Sequence, residues 1–106
     1  MKEINEDELA LDCISLWGTG DQIRQTIEEC GELIVKLAKY RRNVNGSTKE
    51  QICEEIADVE IMCKQMRFIF NGKTIDEIKK NKLERLRERL DNELRSVMKW
   101  QNKILK

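Results

Sequence analysis

Apolar side chains recur at intervals of three, four or seven residues along most of this 106-residue chain. That spacing places them on one face of an α-helix. The chain contains no proline and few aromatic residues, and 38% of its residues are charged. This composition is typical of helices whose outer faces are solvated. The sequence therefore predicts an all-α fold in one small domain.

Three helix-start signals divide the chain. Each is a threonine followed three positions later by glutamine or glutamate, the spacing of a capping box. The pairs are Thr19 with Gln22, Thr48 with Gln51, and Thr74 with Glu77, and Ser47 with Glu50 is an alternative for the second. A polar loop at 43–46 precedes the second signal, and an Asn71-Gly72 turn precedes the third. The predicted helices cover residues 4–16, 21–42, 48–70 and 74 to near the C-terminus.

Three of the predicted helices carry apolar rows. In the second helix the row is Ile23, Ile27, Cys30, Ile34 and Leu37. In the third it is Ile52, Ile56, Val59, Cys63, Met66 and Phe70. We predict that these two rows form the core. In the last helix the row is Ile75, Ile78, Leu83, Leu86, Leu90, Leu94, Val97 and Ile104. This row continues to the end of the chain, so we expect it to pack on a partner subunit or to fold back on the bundle.

Two acidic pairs lie beside the predicted core rows. Glu29 and Glu32 are three residues apart in the second helix, and Glu55 and Asp58 are three apart in the third. Residues at this spacing share a helix face, and like charges that close repel unless a cation neutralises them. Oxygen ligands suit Mg²⁺ or Mn²⁺. The pairs therefore predict a metal site, although in a chain with 20 acidic residues such pairs also arise on solvated faces.

The order and spacing of these acids resemble the signature of the MazG-like family of all-α nucleoside triphosphate pyrophosphohydrolases. The resemblance is carried by EECGEL at 28–33, EEIADVEIM at 54–62, Trp17-Gly18, and KLERLRERL at 82–90. It implies a helical bundle with four helices per chain, whose core is completed by oligomerisation to a dimer or tetramer. The domain would span residues 1–94, followed by a basic helical extension at 95–106.

The resemblance also implies an activity and a metal cofactor. The family hydrolyses a nucleoside triphosphate between the α and β phosphates, releasing the monophosphate and pyrophosphate, with nucleotide-pool cleansing as one role. Mg²⁺, for which Mn²⁺ can substitute, would be held by Glu29, Glu32, Glu55 and Asp58. Glu28, which precedes the first pair, would orient or deprotonate the attacking water.

Further residues are candidates for holding the nucleotide. Lys82, Arg85 and Arg89 recur on one helix face after the acidic pairs, and they would bind phosphate unless they only solvate that face. Lys36 is a weaker phosphate candidate, because a glutamate four residues before a lysine is often a simple ion pair. Trp17 would stack on the base or anchor the bundle. Gln22 would contact the base or ribose, or cap its helix.

Several classes of protein are disfavoured. The chain has no glycine-rich phosphate loop, and it has no histidine for a di-iron carboxylate bundle. Its net charge of zero argues against a nucleic-acid partner. No apolar run approaches membrane length. The four cysteines lack metal-binding spacing, and no signal-peptide pattern is present, so we expect a cytoplasmic protein with free thiols.

Two other functions remain open. The chain could be a non-catalytic helical oligomerisation or interaction module whose last helix is the binding surface. Within the superfamily that the acidic pairs resemble, phosphoribosyl-ATP pyrophosphohydrolase is a second possibility. The Trp17-Gly18 element and the KLERL stretch resemble that branch less closely.

Overall fold

The computed structural model describes residues 3–42 and 46–105. Four helices follow one another, and the described residues contain no strand: α1 (Glu6–Trp17), α2 (Thr19–Arg41), α3 (Lys49–Phe70) and α4 (Gly72–Leu105). The predicted all-α class is confirmed, and each predicted helix lies within a few residues of an observed one. Most of the predicted 43–46 loop lies outside the described residues. The chain divides into two compact units, Met1–Asn71 and Gly72–Lys106, which we describe separately as unit 1 and unit 2.

One of the three predicted capping boxes forms. The Thr48 hydroxyl accepts a hydrogen bond from the Gln51 amide N–H at 3.2 Å, and the Gln51 side chain accepts one from the Thr48 N–H at 2.9 Å. The prediction at Thr19 is wrong, because α2 begins at Thr19 itself and has no side-chain cap. The prediction at Thr74 is also wrong, since α4 begins two residues earlier.

A single glycine separates α1 from α2. Gly18 has φ 88° and ψ 153°, a backbone conformation that is essentially restricted to glycine. Its N–H donates to the Ile14 carbonyl at 2.9 Å, and its carbonyl accepts from the Gln22 N–H at 3.1 Å. The same residue therefore ends one helix and starts the next, and its conformation sets the direction in which α2 leaves α1.

The centre of unit 1 contains a polar pair. The Gln22 Nε2 of α2 donates to the Gln65 Oε1 of α3 at 2.6 Å, and both side chains are buried. The apolar residues buried in this unit are Ala10, Ile52 and Met62. A buried amide needs a partner, and each glutamine supplies one for the other. This pair links α2 to α3, and α1 packs against both helices.

The predicted core rows are wrong in part. Ile27 and Ile34 are each 66% exposed and Phe70 is 65% exposed, whereas Met62, which the sequence placed beside the core, is buried. The reason is that α2 and α3 meet along the rows that carry Gln22 and Met62. Ile52 of the predicted α3 row is buried as predicted, and Ile23, Cys30, Val59 and Met66 are half-buried, so only part of each row faces outward from unit 1.

An exposed ion pair joins α1 to α3. The Lys64 Nζ lies 2.6 Å from the Asp7 Oδ1. The hydrogen bond and the charge of Asp7 raise the pKa of Lys64 above its ordinary value. Because both side chains are well exposed, water and salt screen this pair, and it contributes little to stability.

Unit 2 is formed by the 34-residue helix α4. None of its described residues is buried. Intrahelical ion pairs run along it, with the Arg87 Nη2 2.5 Å from the Asp91 Oδ1 and the Arg89 Nε 3.3 Å from the Glu93 Oε1. The predicted boundary between residues 94 and 95 falls inside this helix and stays a prediction. No helix in the described ranges has the length and apolarity needed to cross a membrane.

The Gly18 conformation gives a first prediction. Gly18→Ala forces a side chain into a disfavoured backbone region and should lower the free energy of unfolding by about 1–3 kcal/mol. Gly20→Ala is the matched control, because that position lies within α2 with open space around it. The control should raise stability by roughly 0.5–1 kcal/mol. Urea unfolding followed by circular dichroism measures both, and equal effects of the two substitutions would contradict the assignment.

The glutamine pair gives a second prediction. Gln65→Leu leaves the buried Gln22 amide without its partner, which should cost about 1–3 kcal/mol of unfolding free energy. Gln22→Leu should cost a similar amount. The double variant removes both polar groups and should recover most of the loss. A double-mutant cycle by urea unfolding tests this, and simple additivity of the two losses would show that the amides do not act as a pair.

Candidate metal centre

Three carboxylates meet between α2 and α3. Glu29 and Glu32 lie one turn apart on α2, and Glu55 lies on α3. Each offers one oxygen, and these oxygens all lie within 4.8 Å of one another. The Gln22–Gln65 bond and this cluster together show that α2 and α3 run antiparallel. Between the first contact and the second, the residue numbers rise along α2, from Gln22 to Glu29 and Glu32, and fall along α3, from Gln65 to Glu55. The structure thus brings together three of the four predicted ligands.

Two oxygens in this cluster are buried without a partner. Glu29 Oε1 accepts a hydrogen bond from Gln25 Nε2 at 2.8 Å. Within the described part of the chain, Glu29 Oε2 and Glu55 Oε2 are buried and accept no hydrogen bond. Burying an unpaired carboxylate oxygen is costly, and native structures rarely leave such groups unsatisfied. A bound cation would offset both this desolvation cost and the repulsion between the three charges.

The cluster opens into a groove that contains one lysine. The groove has a volume of about 680 Å³, within the range of small-molecule sites. Its lining residues are Glu28, Gly31, Glu32, Val35, Lys36 and Glu55. Lys36, one turn after Glu32, therefore lies beside the acids and adds a positive charge at their edge. Glu28 is exposed and lines the same groove. Its predicted role of orienting or deprotonating a water molecule stays a prediction.

The fourth predicted ligand lies apart from the cluster. Asp58 is exposed on α3, one turn after Glu55, and it is not among the carboxylates that lie within 4.8 Å of one another. Its role as a ligand stays a prediction. The three clustered groups supply oxygen donors only, and the chain contains no histidine. This donor set fits a hard divalent ion such as Mg²⁺ or Mn²⁺ better than it fits Zn²⁺.

The predicted phosphate-binding residues of the last helix lie in unit 2. Lys82, Arg85 and Arg89 are all exposed on α4, and the Arg89 side chain pairs with Glu93. An intrahelical ion pair of this kind is also what a solvated helix face would show. The phosphate role of these three residues stays a prediction.

The two predicted base-binding residues have different surroundings. Trp17 is the last residue of α1 and is 56% exposed, so its ring is accessible for stacking. Gln22 is 6% exposed, and its amide is engaged with Gln65. The proposed capping role of Gln22 is wrong, because α2 has no side-chain cap. Its contact with a base stays a prediction.

Two residues of this region were missed by the sequence reasoning. Gln25 lies four residues before Glu29, and a glutamine at that spacing is a recognised partner for a carboxylate on the same helix. That local signal could have identified it. Gln65 carries no comparable signal, since its partner lies 43 residues away on another helix.

No family model matches the chain, and neither curated proteins nor solved structures yield a match.

The cluster predicts an unusual response to charge removal. Glu55→Gln removes one of three neighbouring charges and replaces a buried, unpaired oxygen with an amide that can donate to Glu29 or Glu32. In EDTA this variant should gain on the order of 1 kcal/mol of unfolding free energy. Glu54→Gln alters the exposed neighbouring acid and should change stability by less than about 0.5 kcal/mol. Thermal unfolding of both variants provides the comparison, and a loss of stability in Glu55→Gln would argue against repulsion at the cluster.

Proposed function

We propose that this chain is a Mg²⁺-dependent nucleoside triphosphate pyrophosphohydrolase. It would cleave an NTP or dNTP between the α and β phosphates to give the monophosphate and pyrophosphate. The observation that carries the proposal is the cluster of Glu29, Glu32 and Glu55, with two buried carboxylate oxygens that accept no hydrogen bond from the described residues. The resemblance of the acidic segments to the MazG-like family supplies the reaction class.

The residues around the cluster suit this chemistry. A divalent ion held by Glu29, Glu32 and Glu55 would polarise a phosphate oxygen and lower the pKa of a bound water. Glu32 is exposed at the groove, so it leaves one side of the site open to substrate. Glu28 lines the same groove and is placed to accept a proton from the attacking water. No protein nucleophile is needed, because phosphoryl transfer depends mainly on positioning and charge neutralisation.

The groove favours Lys36 as a phosphate ligand. It shares the groove with Glu28, Glu32 and Glu55, so a phosphate bridging the metal and Lys36 would have its charge neutralised from two sides. In the proposed enzyme Asp58 completes the metal ligands, and Trp17 stacks on the base with Gln22 close to it. The residues of α4 that would hold the remaining phosphates are Lys82, Arg85 and Arg89.

The proposal includes an assembly. Unit 1 buries few side chains and exposes several large apolar ones, which supports completion of its core by other copies, as in the dimers or tetramers that the resemblance implies. The proposed enzyme is a cytoplasmic MazG-like bundle acting on free nucleotides, with neither nucleic acid nor membrane as its partner.

A second candidate function is a non-catalytic helical interaction module. The exposed apolar row of α4, from Leu83 to Ile104, is the observation that favours it. In that case the carboxylate cluster binds no substrate, and its charges only reduce the stability of unit 1.

A substrate panel tests the enzyme proposal. NTPs and dNTPs are incubated with Mg²⁺ or Mn²⁺, and pyrophosphate, orthophosphate and monophosphate are quantified. We expect monophosphate and pyrophosphate in equal amounts. Glu32→Gln and Glu55→Gln should each lower kcat/KM on the order of a hundredfold, since metal-derived charge stabilisation is worth several kcal/mol. Glu54→Gln is the control and should retain activity.

Two outcomes would contradict this proposal in different ways. Release of orthophosphate alone would place the cleaved bond between the β and γ phosphates. An absence of turnover on every triphosphate, together with a melting temperature that does not respond to Mg²⁺ or Mn²⁺, would favour the interaction module.

A further inference from the structure

The two units of the chain carry opposite charges of equal size. Unit 1, Met1–Asn71, contains 14 acidic and nine basic residues, so its formal charge is −5. Unit 2, Gly72–Lys106, contains 11 basic and six acidic residues, so its formal charge is +5. The net charge of zero therefore conceals a strongly polarised chain. Opposite net charges favour association and speed the encounter of the two surfaces.

Unit 1 also exposes an apolar surface formed by two rows. On α2, Ile27 and Ile34 are seven residues apart, and on α3, Ile56, Cys63 and Phe70 are each seven apart. We call these five residues the apolar face of unit 1. All of them are exposed. The two rows lie on helices that pack against each other. Burial, Cys30, which lies between Ile27 and Ile34 in the sequence, and Glu60 together raise the pKa of Cys63. Glu60 thus adds an acidic group beside this face.

Helix α4 carries the matching features. Leu83, Leu90, Val97 and Ile104 recur every seven residues and are 44–60% exposed. Such a repeat is the pattern of helices that pack lengthwise by inserting side chains between those of a neighbour. Four of the seven positions that border this row are basic, namely Lys82, Arg87, Arg89 and Lys103. The other three are Leu94, Ser96 and Gln101.

The basic residues beside this row favour some packing partners over others. In a parallel pair of α4 helices, Lys82 of one copy would lie opposite Arg87 of the other, which is unfavourable. In an antiparallel pair that aligns the two rows end to end, Lys82 would lie opposite Lys103. The acidic unit 1 avoids both repulsions and offers an apolar face with the same seven-residue spacing.

The junction between α3 and α4 favours a second copy as the source of that unit 1. Only Asn71 separates the end of α3 from the start of α4. Neighbouring antiparallel helices are usually joined by two to eight residues. Short junctions of this kind promote the exchange of an element between identical chains.

We propose that two copies of this chain form a reciprocal dimer in which α4 of each copy packs its Leu83–Ile104 row on the apolar face of unit 1 of the other. This inference rests on the proposed self-association and names the two surfaces that would form it. It does not depend on the proposed hydrolysis. The interface is isologous as a whole, because each copy gives one helix and receives one. It covers apolar side chains that otherwise remain in water.

The test begins with the mass of the full chain in solution. Light scattering coupled to size exclusion should give twice the 12.6 kDa of one chain. Val97→Glu places a charge in the α4 row and should raise the dimer dissociation constant at least tenfold. Met98→Glu is the matched control, since it adds the same charge to the neighbouring position on a different face of α4 and should leave the dimer intact. Ile34→Glu should weaken the dimer as strongly as Val97→Glu does.

Mixing the two defective variants identifies which surfaces pair. A mixed dimer of Val97→Glu and Ile34→Glu chains contains one interface in which neither surface is altered, so an equimolar mixture should regain dimer mass and, if either variant alone is unfolded, helical circular dichroism. A wild-type monomer would overturn the proposal, as would equal behaviour of Val97→Glu and Met98→Glu. Insensitivity to Ile34→Glu, or a mixture that stays dissociated, would indicate that α4 pairs with α4. The carboxylate cluster is untouched in all these variants, so none of these results depends on catalysis.

Discussion

The hydrogen bond between Gln22 and Gln65 is the interaction on which the candidate site depends. It joins the first turn of α2 to the last part of α3 in a buried position, where an unpaired amide would be costly. With two antiparallel helices fixed at this point, residues about two turns along each helix are brought opposite one another. Glu29 and Glu32 thereby meet Glu55. A slip of one helix against the other would separate the carboxylates and expose the glutamines.

The same contact explains why the acids are partly buried. The sequence suggested that apolar rows fill the space between α2 and α3 and that the carboxylates flank them. In the structure Gln22 and Gln65 are buried together with Ile52 and Met62, and Glu29 and Glu55 are half-buried. Unit 1 therefore buries two amides among its apolar core residues and exposes large apolar side chains on α2 and α3. Such an arrangement costs stability in the single chain, because it gathers like charges and leaves apolar side chains in water.

Local signals in the sequence were enough for the helices and for the two acidic pairs. Periodicity and the absence of proline predict four helices, and the capping box at Thr48 is read correctly because it involves residues three apart. Four carboxylates were predicted to converge, and three of them do. The spacing within each pair is local, whereas the meeting of the two pairs depends on how α2 packs on α3. What could not be predicted is which face of α2 meets which face of α3. That choice depends on the long-range Gln22–Gln65 pair, and apolar spacing alone predicts buried positions for Ile27, Ile34 and Phe70, which are exposed. The start of α2 was misplaced for a related reason, since Gly18 acts through backbone conformation and not through a side-chain cap.

The opposite charges of the two units affect how molecules of this protein attract or repel one another in solution. A molecule with no net charge lacks the mutual repulsion that keeps most proteins dispersed. Here neutrality is the sum of an acidic half and a basic half, so two molecules meeting in the right orientation attract each other strongly. If each basic helix packs on an acidic unit within one closed pair, no complementary surface is left for a third molecule, and the particles remain discrete. If the contacts are made head to tail without closing, the same attraction extends indefinitely into filaments. In the proposed dimer, closure of the pair therefore decides between discrete particles and filaments.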